Sequence, residues 1–305
     1  MRFEWVVTEK ETKLLKFFLR DQGVSRKLLS AIKTHNGFSV NDLPCFANQA
    51  VVSGDRVAIV IPDEESHETV VPVKRPLEIL YEDRDLLVVN KPRALATIPS
   101  RQNPESSLAN WIKGYYVSNG YKDQVIHIVT RLDRDTSGIV LIAKHRFSHH
   151  SCDRLLRESL ITKEYRALVW DRDNRLRDHE LIDLPIARDK DSIITRCVAE
   201  DGKKALTEYW VMKSFGPIKL VKIHLHTGRT HQIRVHFKAL GCPLVGDSLY
   251  GGAKNDGIDK QALHCRKISL IQPFNQQPLT IKAPYPRDMS DWLMTKGYDC
   301  SKDEG

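Results

Sequence analysis

The sequence predicts an α+β protein. A small amino-terminal α/β unit of two helices and short strands precedes a larger unit on a mixed, mainly antiparallel sheet with flanking helices. Three observations predict this. Strand-like segments outnumber helical ones and run consecutively instead of alternating with helices. An acidic, proline-flanked stretch from Pro62 to Lys74 divides the chain unequally. Apolar runs such as Ile139–Ala143 have strand length and are rich in β-branched residues.

In chain order, Phe3–Val7 is a short strand. Thr12–Arg20 has a broad apolar helical face and is closed by Gly23. Ser25 caps a second helix, ended by Gly37, and short strands follow over Phe38–Asn41 and Val51–Val60. Residues 10–62 thus form one small domain, 63–75 a linker and 76–297 the larger domain. There, Leu77–Tyr81 and Asp85–Asn90 are strands, Ser106–Tyr116 a helix capped by Ser106 or Ser107, and His145–Ser159 another helix. Strands are expected over Lys163–Trp170, Leu181–Ala187, Ala205–Phe215 and Leu220–His226. Thr230–Leu240 is a short helix stopped by Gly241. Ala262–Ile271 and Leu279–Ala283 are late strands, Asp288–Lys296 is the last helix, and Ser301–Gly305 is expected to be disordered.

With 41% apolar and 28% charged residues in 305, the chain has a globular rather than a disordered composition. No run approaches the roughly 18 apolar residues of a membrane span, and Met1–Trp5 lacks a signal-peptide core. Six scattered cysteines without a C-x-x-C pair suggest reduced thiols and a cytoplasmic protein. The net charge of +8 favours a polyanionic partner, nucleic acid first. No heptads or added dimer element are seen, so a monomer is expected.

The densest chemistry lies in Arg131-Leu132-Asp133-Arg134-Asp135-Thr136-Ser137-Gly138, between two apolar runs. Taken alone it is equally a surface turn or a loop presenting reactive groups. Asp133, between two arginines, stays ionised and can act as a nucleophile. Asp133-x-Asp135-Thr136 also outlines the D-x-D-x-T motif of magnesium-dependent phosphatases, but that motif follows a buried strand directly and needs further acids. His224-x-His226, His231 and His236 form a histidine-rich stretch. No thiol or acidic ligand stands nearby in sequence, so structural histidines are expected and no metal site. In His226–His236, a glycine turn leads into a helix that Thr230 is expected to cap, with Arg229 and the helix start facing an anion. Arg234 lies among apolar neighbours and needs a carboxylate partner, for which Asp133 is the candidate.

Together these segments resemble the RluA-type pseudouridine synthases. They are L-Y-E-D-R-D-L-L-V-V-N-K-P (80–92), R-L-D-R-D-T-S-G (131–138), K-E-Y-R-A-L-V (163–169), G-K-K-A-L-T-E-Y (202–209), H-T-G-R-T-H-Q-I-R-V-H (226–236) and P-L-V-G-D-S-L-Y-G-G (243–252). Thr130 stands where a histidine is frequent, and Ala94 where a glycine is frequent. The resemblance implies an isomerase that converts uridine to pseudouridine within RNA without metal, nucleotide or redox cofactor. It implies Asp133 as nucleophile, Tyr165 packing against uracil and able to transfer a proton, and Arg234 pairing with Asp133. Arg131 would fill the place of the flipped base, and Lys91, Thr136, Arg229 and His231 would join the RNA-binding set.

Residues 10–62, with G-V-S-R-K-L-L-S, V-N and V-x-x-G-D-x-V, resemble the S-four-like RNA-binding domain, departing at Asp42-Leu43-Pro44 where a glycine is often found. This implies RNA contacts from Arg26 and Lys27 and a large structured target. Ribosomal RNA of the large subunit comes first and transfer RNA second. A non-catalytic RNA-binding or ribosome-assembly factor is the alternative of another class.

Overall fold

The structure, a computed structural model, describes residues 1–64 and 70–303. The amino-terminal unit holds β1 (Arg2–Val6), β2 (Lys13–Leu14), α1 (Leu15–Asp21), α2 (Arg26–Thr34), β3 (Phe38–Val40), β4 (Leu43–Pro44), β5 (Ala50–Val51) and β6 (Arg56–Val60). Strands β1, β6, β3 and β4 form an antiparallel sheet in that order. Helix α1 starts later than its periodicity predicts, because Lys13 and Leu14 pair with Val51 and Ala50 as strand. Ser25 caps α2, its hydroxyl accepting from the Leu28 N–H at 3.2 Å. At the β3–β4 turn Asn41 and Asp42 adopt φ of 47° and 64°. That conformation explains why a glycine suits this position and why short polar side chains replace it. Leu15, Phe18, Leu19, Leu28, Ile32 and Ile59 form this unit's core, joined by Phe147 from the larger unit.

The expected linker, 63–75, lies outside the described residues at 65–69. Its described ends are tied to the larger unit. Glu64 accepts from the Arg146 N–H at 2.9 Å, and the Val73 N–H donates to the Asn110 carbonyl at 3.0 Å.

The larger unit runs β7 (Ile79–Glu82), β8 (Leu86–Lys91), α3 (Leu108–Ser118), β9 (His127–Ile128), β10 (Ser137–Ala143), α4 (Arg146–Arg157) and β11 (Thr162–Trp170). Then follow β12 (His179–Asp183), β13 (Ile186–Arg188), β14 (Arg196–Val198), β15 (Leu206–Phe215), β16 (Ile218–Leu225) and α5 (Gln232–Ala239). Last come β17 (Leu263–Ile271), β18 (Pro278–Lys282) and α6 (Arg287–Thr295). The central sheet has the order β12-β15-β16-β11-β17-β10-β8-β7, with β9 on β10 and β18 on β17. Every described pair in it is antiparallel except β10–β17. The class is therefore α+β with a mixed sheet, as the sequence predicts. The expected strand Leu181–Ala187 is instead two strands, β12 in the sheet and β13 in a separate hairpin with β14. The break falls at Leu184-Pro185, where proline has no N–H for the ladder.

All of β10 is buried, so its apolar run needs no alternation. Its start fixes the Asp133 loop. Ser137 and Gly138 pair in parallel with His264 and Cys265, and Gly138 sits at φ +109°. A Cβ there would meet the Cys265 carbonyl oxygen at 2.3 Å. Gly138→Ala is expected to destabilise the protein by about 3 kcal/mol or more, from strain and backbone collision together. An unchanged denaturation midpoint would contradict this register.

The expected disorder of Ser301–Gly305 is corrected for 301–303, while 304 and 305 lie outside the described residues. Cys300–Lys302 form a 3-10 turn, and the buried Asp303 carboxylate accepts from Arg166 Nε and Nη2, both at 2.8 Å. The Tyr285 hydroxyl also donates to it. A polar tail reads as disorder until its buried partner, far away in the chain, is known.

Candidate active site

Strand ends and the loops beyond them surround a cleft of about 660 Å³, lined among others by Arg131, Asp133, Tyr165, Arg229, His231 and Arg234. The Asp133 loop is held from three sides. The Thr97 hydroxyl donates to the Leu132 carbonyl at 2.7 Å and accepts from the Leu132 N–H at 3.1 Å. The Thr136 N–H closes a turn on the Asp133 carbonyl at 3.1 Å. Lys91 Nζ donates to the carbonyls of Pro92, Leu95 and Arg134 at 3.0, 2.8 and 3.0 Å.

Those contacts correct two expectations. Lys91 is fully buried, with its three donors used on backbone carbonyls, so it holds the loop and does not reach RNA. Burial pushes its ammonium down to about 7, against the raising effect of Asp133 and Asp135. Thr136 borders the cleft but is buried, and its hydroxyl accepts from Gln261 Nε2 at 3.3 Å; it too supports the loop. Thr130 has the same structural use, its hydroxyl accepting from the Leu141 N–H at 2.9 Å. Ala94 takes φ +59°, the conformation for which a glycine would be favoured.

Asp133 and Arg234 meet across the chain. Arg234 Nη1 donates to Asp133 Oδ2 at 3.1 Å. The arginines beside Asp133 in sequence are not its partners: Arg134 pairs with Asp135 at 3.1 Å, and Arg131 is exposed on the cleft wall. Nor is Asp133 the main counter-ion of Arg234. Asp247 accepts from Arg234 Nε at 2.7 Å and Nη2 at 2.8 Å, with both side chains buried. Burial opposes the charge on Arg234, but the bonds to Asp247 and the carboxylates of Asp247 and Asp133 raise its affinity for the proton overall. Asp247 is a site residue that sequence reasoning missed. Gly246-Asp247-Ser248 carries no signal of its own beyond lying in one of the resembling segments.

Helix α5 presents Arg234, but it begins differently from the expectation. It starts after His231, which has φ +59°, and Thr230 does not cap it. No side chain caps it; Gln232, its first residue, braces the preceding loop instead, its Oε1 accepting from the Arg229 N–H at 2.9 Å and the Thr227 hydroxyl at 2.8 Å. Arg229 itself is exposed at the cleft edge, with Nε donating to the Lys204 carbonyl at 3.0 Å.

His231 is placed by Tyr250, a second residue that sequence reasoning missed. The Tyr250 oxygen accepts from the Arg196 N–H at 2.9 Å and lies 2.8 Å from His231 Nδ1. Its own proton is then best directed at Nδ1, which leaves the neutral imidazole proton on Nε2. Nε2 lies 3.8 Å from Asp133 Oδ2. Burial lowers the proton affinity of His231, the Asp133 charge raises it and Arg234 lowers it further; the outcome is below the ordinary value and favours the neutral ring. The Tyr250 ring also faces the Arg234 guanidinium at 4.9 Å. Asp133 Oδ2 is thus held by the one hydrogen bond from Arg234, with the His231 ring near but beyond hydrogen-bond distance, while Oδ1 has no hydrogen-bond partner among the described residues.

Tyr165, on β11, is buried at the cleft wall. Burial, then Cys265 and Asp133, hold its phenol well above the ordinary value, so it is present as the neutral form. Arg26 and Lys27 are exposed on α2 and are not among the cleft-lining residues. The D-x-D-x-T outline does not make a phosphatase site. It precedes the buried β10 instead of following one, and its two carboxylates pair with different arginines, Arg234 and Arg134. His236 is a structural histidine as expected, bonded to the Thr207 hydroxyl and the Leu184 carbonyl, both at 2.9 Å.

Residues 85–239 match the family model described as RNA pseudouridylate synthase. The chain is 41% identical over 277 residues to the protein of Bacillus subtilis (strain 168) named uncharacterized RNA pseudouridine synthase YjbO, covering 90% of this chain and 96% of that one. It is 33% identical over 281 residues to ribosomal large subunit pseudouridine synthase D of Yersinia pestis, covering 87% and 83%. Among solved structures it shares the fold of human RNA pseudouridylate synthase domain containing 4, with a TM-score of 0.59 at 22% identity, covering 72% of this chain and 93% of that one. The chain therefore belongs to the RluA-type RNA pseudouridine synthases, which are isomerases.

Proposed function

We propose that this enzyme isomerises uridine in large-subunit ribosomal RNA and that Asp133 is its nucleophile. The observation carrying the second part is the Asp133 carboxylate in the cleft, with Oδ2 held by Arg234 and Oδ1 without a partner among the described residues. Its position supports attack on the nucleoside by an oriented, ionised oxygen. In the net reaction the N1–C1′ bond breaks, a C5–C1′ bond forms, C5 loses a proton and N1 gains one. Nothing is added or removed, so the catalytic demands are charge, orientation and exclusion of water.

Arg234, neutralised by Asp247, orients Asp133 without removing its nucleophilic oxygen. His231 borders the cleft beside Asp133, with Nε2 3.8 Å from Oδ2 and so free to meet the substrate. Tyr165 packs against the uracil; its neutral phenol favours packing and proton donation over proton abstraction. Arg131, exposed beside Asp133, enters the gap left by the flipped nucleotide. Arg229, exposed at the cleft edge, contacts the RNA backbone, and Arg26 and Lys27 on the S-four-like unit contact RNA outside the cleft. The ribosomal target supports a cytoplasmic location and rests on similarity to the Yersinia pestis enzyme.

Mapping pseudouridine in total RNA from cells with and without this gene tests the substrate. Loss of sites in large-subunit ribosomal RNA alone is expected. Loss confined to transfer RNA would overturn that assignment and leave the chemistry standing.

A further inference from the structure

We propose that the chain binds one divalent transition-metal ion, of the zinc and cobalt class, through Glu208, His224 and His226 at the open rim of the cleft. Sheet register builds this cluster. Glu208 on β15 stands directly opposite His224 on β16, so their side chains share a face, and His226 lies two residues further on the same side. One ligand atom from each residue lies within 4.8 Å of the other two. The histidine rings are 4.6 Å apart, and Glu208 Oε2 lies 2.9 Å from His226 Nε2. This overturns the expectation that no acidic ligand completes the His-x-His pair: Glu208 is distant in sequence and adjacent across the ladder.

Ordinary hydrogen bonding accounts for only part of the cluster. Glu208 also accepts at Oε1 from His179 Nε2, at 2.9 Å, and the His179 ring stacks on Trp210. Those bonds explain His226 and His179 but leave His224, half-buried, without a hydrogen bond among the described residues. By contrast, His145 and His236 each have both ring nitrogens bonded. A shared cation gives His224 a partner. With metal–ligand bonds of about 2.0–2.2 Å, tetrahedral donors stand roughly 3.4 Å apart, so side-chain rotation must close up to about 1.4 Å. Two imidazoles and one carboxylate suit zinc-class ions over magnesium or calcium. His179 holding the second carboxylate oxygen is an outer-shell contact of the usual kind. Three protein ligands leave a coordination position open, and His224 and His226 border the cleft that RNA must enter. No hydrogen bond or ion pair links the cluster to Asp133 among the described residues, and it rests on no reading of the role of Asp133.

The test uses the full-length protein, stripped with chelator and titrated with Co²⁺ followed by visible absorption, then with Zn²⁺ by calorimetry. One equivalent is expected, with a nitrogen–oxygen cobalt spectrum and no thiolate charge-transfer band. Glu208→Gln and His224→Ala should each weaken binding by at least about tenfold. His226→Gln, at a more exposed position, provides an independent variant, and thermal melting checks that all three fold. Absence of saturable binding, a thiolate band, or folded variants that bind as tightly as the parent would overturn the site.

Discussion

Asp133→Asn is expected to lower pseudouridine formation by at least about 10⁴-fold, the scale seen when a nucleophile or its essential partner is removed. Asparagine keeps the size of the side chain, and its amide oxygen can still accept from Arg234 Nη1. What it loses is the charge and the nucleophilic oxygen. RNA affinity should stay within a few fold of the parent, because the change removes a negative charge from a cleft that receives a polyanion. Single-turnover assays and filter binding on the same RNA separate the two effects. Activity within tenfold of the parent would remove Asp133 from the nucleophile role, and loss of binding with activity would make it a contact residue instead.

Asp247→Ala should damage both stability and catalysis. It strips the buried Arg234 of its two-point partner and leaves one bond, to Asp133. Breaking a buried pair from one side costs about 3–5 kcal/mol, so the melting temperature should fall by on the order of 10 °C. Arg234 would then turn further onto Asp133 and engage its free oxygen, so turnover should fall beyond what instability explains. The double variant Asp247→Leu with Arg234→Met separates these effects. It should recover much of the stability, since no lone buried charge remains, and stay inactive because Asp133 has lost its orienting donor. Wild-type turnover by folded Asp247→Ala would show that Asp247 does not position the site.

Local sequence contained much of the architecture. Strand runs, the Ser25 and Ser107 caps and the helix after His145 are set by neighbours within a few residues, and the structure has them. Local signals failed where a distant partner decides. Lys13-Leu14 becomes strand because Ala50-Val51 is beside it, and Asp303 is ordered because Arg166 is buried beneath it. The family resemblance placed Lys91 in the RNA-binding set, and its segment carries no local sign of burial. Only the tertiary structure supplies the three carbonyls that bury it.

The sequence alone determined the fold class, the family resemblance and the pairing of Asp133 with Arg234. The first two depend on element pattern and motif order, and the pairing on the rule that a buried arginine needs a carboxylate, which Asp133 meets only together with Asp247. Tertiary structure decided that Asp247 neutralises Arg234, that Tyr250 sets His231, and that Glu208 joins His224 and His226. Charge pairing and ladder register act through space, over a few ångströms between segments far apart in the chain, and leave no spacing pattern along it.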